Sequence, residues 1–289
     1  MKPLRPLLSK SATSGRRAPW GHEKSGLSIW ALLGAFTGAF LALTVNMPAQ
    51  WLAKGLIDAT KGQVQLQEAQ GSVWQGSGKL VLTGGAGSRD ALALPGRVNW
   101  QMNVSWLGSR LPSLNLKLQA DCCMTQGLQM HVTSLKSFSA WQLQVDDHHS
   151  EWPAQWLNGL GSPWNTLQPE GRLMLETQQL VIQSSPQGLQ MVGLLNLTAH
   201  NVSTQLSTLK PLGTYQLSWV SDATHATPPT LNLRTQSGSL LLSGQGQWQG
   251  THFQFRGEAS AVPEHAAALS NLLNIIGRRQ GARSLLSLG

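Results

Sequence analysis

From Ser25 to Ala53 the chain carries no charged side chain. Within that stretch residues 27–45 read LSIWALLGAFTGAFLALTV, a run of dominantly apolar types. At about 1.5 Å per residue such a helix is roughly 28 Å long, the thickness of a bilayer's hydrocarbon core. A cleaved leader has a shorter apolar region, about 7–15 residues. The segment therefore predicts one uncleaved transmembrane helix over 27–46. Gly34 and Gly38 form a GxxxG pair inside it, a spacing that lets a second helix approach closely in lipid.

Charge orients the span. Residues 1–24 hold Lys2, Arg5, Lys10, Arg16, Arg17 and Lys24 against the single acid Glu23, so +5 of the net +8 lies ahead of the helix. Only Lys54 and Lys61 follow closely, beside Asp58 and Glu68. Positive flanks stay on the cytoplasmic side. A basic cytoplasmic tail over 1–24 and an external, periplasmic body from residue 47 onward are expected. Trp51 then sits where an interfacial anchor would lie. The rest of the chain is only mildly basic and holds one tyrosine and five phenylalanines, with no basic–aromatic interleaving. That excludes a nucleic-acid partner.

Beyond residue 60 the dominant period is two. Leu114, Leu116 and Leu118 alternate with Asn115, Lys117 and Gln119; Tyr215, Leu217 and Trp219 alternate with Gln216 and Ser218. Trp141, Leu143 and Val145, and Phe253 and Phe255, follow the same rule. Alternation puts one face of each strand on a core and the other toward water. Glycine and proline clusters, Gly84-Gly85, Pro95-Gly96 and Gly244 to Gly250 among them, read as turns. The fold class is mainly β: a curved, largely antiparallel sheet whose outer face is rich in Gln, Ser, Asn and Thr.

The sheet is expected to consist of two similar halves. Pro48-Ala49-Gln50-Trp51-Leu52 recurs as Pro153-Ala154-Gln155-Trp156-Leu157. Val104-Ser105-Trp106 then has a counterpart in Leu217-Ser218-Trp219, and Ser113 to Lys117 in Thr230 to Arg234. Three matches in the same order suggest duplication, with halves at 47–150 and 151–262. From Pro263 the apolar spacing turns helical (Ala266, Leu269, Leu272, Leu273, Ile276), so 263–289 is expected to be a short C-terminal helix and tail.

Catalytic, cofactor and metal residues are not expected. Cys122 and Cys123 are adjacent, which excludes a CxxC motif or a four-ligand zinc site. They read as a structural pair or a vicinal disulfide, with a disulfide to a partner as the remaining alternative. Asp146-Asp147-His148-His149 would split between two strand faces and reads as a solvated loop. No GxSxG, HExxH or phosphate-binding glycine loop is present, so no small-molecule substrate is evident and the chain reads as a non-enzyme.

The features in order carry a family resemblance. After the basic tail and span come Pro48 to Leu52, then Gly71-Ser72-Val73-Trp74-Gln75-Gly76, the NVSWLG stretch at 103–108, Leu167 to Leu173, and Leu272 to Arg278. Together these resemble protein N of the bacterial type II secretion system. The resemblance implies a single-pass inner-membrane protein with a periplasmic domain. Such a protein is an accessory or scaffold subunit of the machine that exports folded proteins across the outer membrane. Its expected partners are other envelope subunits and inner-membrane lipid. The positions that mark the pattern are Trp51, Gly71, Trp74, Gly76, Trp106, Trp156 and Trp219; Trp74 and Trp219 are expected to be buried. The alternative is an AsmA-like periplasmic lipid-binding or lipid-transfer protein, which needs an open, continuous apolar groove.

Overall fold

The computed structural model describes residues 27–105, 112–134, 140–185, 188–221, 229–249 and 252–288. The basic tail and Trp106 lie outside the described residues. The chain divides at 45/46 into two compact units.

The first unit's described part is α1 (Leu27–Val45), an uncharged helix. Its apolar side chains are exposed, Trp30 and Phe36 each to 76%. Among the described residues no helix is long and apolar enough to cross a membrane. Helix length in the structure therefore lends no support to the span expected over 27–46.

The second unit opens with α2 (Ala49–Ala59), followed by β1 (Val64–Gly71), β2 (Gln75–Thr83), β3 (Ala91–Ala93), β4 (Val98–Ser105), β5 (Ser113–Ala120), β6 (Leu128–Ser134), β7 (Trp141–Val145) and β8 (His148–Pro153). A 3₁₀ helix (Ala154–Leu160) and α3 (Trp164–Leu167) lead to β9 (Glu170–Ser185), β10 (Gly188–Ser203), β11 (Gly213–Val220), β12 (Thr230–Gly238), β13 (Leu240–Gln249) and β14 (His252–Ala261). A second 3₁₀ turn (Pro263–His265), α4 (Ala266–Ile276), β15 (Arg278–Gln280) and β16 (Arg283–Leu288) complete it. All 16 strands among the described residues join one open antiparallel sheet, in the order β1-β2-β4-β5-β6-β7-β9-β10-β11-β12-β13-β14-β16-β15, with β3 on β2 and β8 on β9. The division expected at 150/151 falls inside β8. The expected C-terminal tail is instead the β15–β16 hairpin.

Alternation becomes burial through register. Met102, Leu116, Met130, Val145 and Leu180 are successive cross-strand partners on one face. Farther along, Leu195, Trp219 and Leu231 continue that face. Four apolar clusters of described residues run across it: one under α2, one that includes Trp156 of the first 3₁₀ helix, one under α4, and one built from strands alone. The tightest packs Leu269, Leu272 and Leu273 of α4, each at 2% exposure or less, against Tyr215, Leu240 and Ala259. At roughly 1.5–3 kcal/mol per fully buried aliphatic side chain, these three leucines hold the helix down. Ser284 Oγ donates to the Leu273 carbonyl at 2.6 Å and ties β16 to the same helix.

Both sheet edges are protected. On β1, Thr60 Oγ1 accepts the Val64 N–H at 3.1 Å while donating to the Leu56 carbonyl at 2.7 Å. Farther along the same strand, Glu68 sits at φ 50 beside a bulge. The other edge, β15, is three residues long and carries Arg278 and Arg279.

Glycine also fits bulky side chains into the strands. Gly244 and Gly246 lie within β13, not in the turn expected at 244–250, and a Cβ on either would strike the Phe255 or Phe253 ring. Those rings lie across the glycines and cover backbone that has no side chain of its own.

Candidate functional site

The Gly71–Gly76 segment is a clamp. Gly71 has φ 90, and a Cβ there would lie 2.5 Å from the Gln75 carbonyl. The Gln75 N–H donates to Ser72 Oγ at 3.1 Å, closing the turn. Gly76 leaves room for the Trp100 ring, which a Cβ would strike at 2.4 Å. Trp100 is 4% exposed and its Nε1 donates to the carbonyls of Ser72 and Val73 at 3.2 and 3.1 Å. Val73 N–H in turn donates to the Met47 carbonyl at 2.8 Å, and Pro48 bridges to Ser72. The motif thus fixes the start of α2 to β2 and β4. Its role is structural. Trp100 is the residue the sequence reading missed; the alternation of Val98, Trp100 and Met102 opposite a glycine-rich strand was the available signal.

The other marked residues divide by environment. Trp74 and Trp219 are half-buried rather than core. Trp219 packs against the Val145, Leu180 and Met191 cluster. Trp156 stacks on Trp152 with ring centroids 5.6 Å apart and planes 16° off parallel. Trp51 stands 64% exposed on α2. Gly34 and Gly38 on α1 are open, with nothing within 4 Å of a built Cβ.

Of Asp146 to His149, the aspartates form the bend between β7 and β8, whereas the histidines belong to β8 rather than to a solvated loop. Asp147 Oδ1 accepts the Gln179 N–H at 2.7 Å, opposite a β9 residue at φ 47, and so pins the kink between β7 and β8. His148 enters β8 buried, with Nε2 lacking a hydrogen-bond partner. Burial, helped by the neighbouring His149, holds its pKa below the ordinary value of 6.5. No group of three His, Cys, Asp or Glu able to hold a metal occurs among the described residues.

A further surface is the polar face of the sheet. Ser105, Ser113, Thr133, Gln142, Gln183 and Gln190 are partners across six consecutive strands. In the second part of the sheet Asn196, Ser218, Asn232, Gln245, Arg256 and Ser287 do the same. Some of these groups bond one another: Gln183 Nε2 donates to Gln142 Oε1 at 2.9 Å, and the hydroxyls of Ser105 and Ser113 are 2.7 Å apart. Charge enters mainly in pairs. Lys79 lies 2.7 Å from Glu68 and, by hydrogen bonding to it, lowers its pKa from the usual carboxylate value. Shallow clefts of ≈ 510 and ≈ 600 Å³ open on this face, the first lined by Gln70, Gln75, Ser77, Asn99, Lys117 and Gln119. Polar and charged residues make up most of the lining of both, which gives no support to the alternative of an apolar lipid groove.

The profile of the family described as Type II secretion system (T2SS), protein N matches residues 62–285. No curated protein and no solved structure matches the chain.

Proposed function

We propose a role for this chain from one premise: it belongs to the type II secretion system protein N family. In our reading it is a non-enzymatic accessory subunit of that system. A single helix holds it in the bacterial inner membrane, with the N-terminus in the cytoplasm and the sheet in the periplasm. It works by contact with other envelope subunits and turns over no substrate.

The reading of topology rests on the uncharged run 25–53 and the basic residues ahead of it. Lipid would cover the exposed apolar side chains of α1, and the open Gly34 and Gly38 leave a flat stripe for a partner helix. The observation that carries the contact reading is the polar face. Side-chain amides and hydroxyls in register across six strands can exchange water for a partner's hydrogen bonds without burying charge. Duplication accounts for the paired strings: the two Pro-Ala-Gln-Trp-Leu copies each open a helix, and the later matches fall on β4 and β11, then β5 and β12. In the first hairpin Ser105 faces Ser113, and in the second Ser218 faces Asn232. That is a shift of two residues, which preserves the face.

Deleting the gene is expected to lower secretion of folded exoproteins, and the wild-type chain to restore it. A periplasm-dependent reporter should be active after Gly289 and silent after Lys24. Unchanged secretion would overturn the role; the reverse reporter pattern would overturn the topology alone.

A further inference from the structure

We infer that Cys122–Cys123 is a thiol–disulfide exchange site, opened by a dithiol reductant. The two are bonded to each other, with Cα atoms 3.7 Å apart. They form the turn after β5. A cross-link between adjacent residues closes so short a loop that it removes little entropy from the unfolded chain, so stapling the fold is a poor explanation for it. Ring closure within one dipeptide departs from the 4.4–6.8 Å Cα separation at which disulfides are relaxed, and departures of that kind make a disulfide easier to reduce.

Accessibility is asymmetric, as exchange requires. Cys122 is exposed, whereas Cys123 is 8% exposed and packs with Leu94, Val98, Ala120 and Met124. The pair borders a cleft of ≈ 420 Å³ whose other wall is β8, with His149 and Glu151. The sheet places β8 on β9, and its other side meets this turn through one backbone bond, Glu151 N–H to the Cys123 carbonyl at 2.9 Å. The exposed member of the pair therefore borders the cleft, and its buried neighbour connects directly to a strand.

The step balances as follows. A thiolate of the reductant attacks Cys122 Sγ; the Sγ–Sγ bond breaks, and Cys123 leaves as a thiolate that takes a proton from water. The reductant's second thiolate then attacks its own mixed-disulfide sulfur and releases Cys122. Two electrons pass to the protein, and the dithiol leaves as a disulfide. A monothiol stops at the first adduct, which Cys123 displaces again from the adjacent position.

The inference goes beyond the secretion role and is tested on purified full-length protein, without reference to secretion. Acid-quenched wild type should take up no maleimide before dithiothreitol and two after it, and the Glu151 amide should exchange faster once the pair is reduced. Because Asp121 and Glu151 line the cleft, the trapping probe is uncharged bis(2-hydroxyethyl) disulfide. Folded C123S should take up one hydroxyethylthio group on Cys122, and folded C122S should take up that group at least tenfold more slowly. Two free thiols in untreated protein would overturn the inference. So would a C123S protein that reacts only when denatured.

Discussion

The same five residues, Pro-Ala-Gln-Trp-Leu, begin two helices of this sheet and lead to different surroundings. At both sites proline takes an extended conformation just before the helix, and the following alanine, Ala49 or Ala154, is 1% exposed. The tryptophans then part company. Trp51 points out of an 11-residue α-helix, whereas Trp156 lies in a seven-residue 3₁₀ helix, stacked on Trp152 beside the Leu94 and Val98 cluster. The string itself sets how the helix starts and which methyl group goes under it. What the tryptophan meets depends on the next strand: β8 supplies Trp152 immediately ahead of the second copy, and the first copy has no such neighbour. Identical local sequence thus fixes a cap and leaves the environment to topology.

The sharpest way to break this comparison is to remove each tryptophan in the full-length chain. Trp156→Ala should cost about 3 kcal/mol in urea unfolding and Trp51→Ala less than about 0.5 kcal/mol. Equal costs would mean that the two copies share an environment after all. Next come the alanines, where the copies should agree. Ala49→Leu and Ala154→Leu should each destabilise by about 1–3 kcal/mol, because neither site has room for three more carbons. A neutral result at one of them would place the likeness in sequence alone.

The smallest effect should come from pH. His148 lies in the strand that leads into the second copy, and its folded pKa is below 6.5. The unfolded chain binds this proton more readily, so stability rises with pH through this range. The cost sets in as pH falls below about 6.5 and grows until the folded protein itself takes up the proton. Amide protection factors around Trp156, corrected for the intrinsic pH dependence of exchange, should therefore fall between pH 7.5 and 5.5 more than those around Trp51, and His148→Gln should remove the difference. A wild-type protein whose two regions respond alike would contradict the buried histidine as its source.

How much of this could be read from the chain follows from the range of the interactions. Strand faces were legible because period two is local: Leu114, Leu116 and Leu118 declare their side without reference to any neighbour. Trp100 was not, because its ring needs Gly76, 24 positions earlier and on another strand. Gly244 and Gly246 resembled a turn for the same reason; only pairing with β14 brings the Phe253 and Phe255 rings over them. Arg278 and Arg279 fit the end of a helix by charge, yet they form a strand because β16 returns alongside them. The polar face was visible as composition, and register alone shows that its residues line up in rows.

The proposal that these rows are a contact surface is tested most directly by photo-cross-linking in cells that carry the complete secretion system. A photoreactive residue at Asn232 or Gln245 should yield adducts with other type II secretion components, while the same residue at buried Leu272 yields none. Adducts absent from both polar-face positions, in a strain whose secretion depends on this chain, would contradict the proposal that the protein acts through that face.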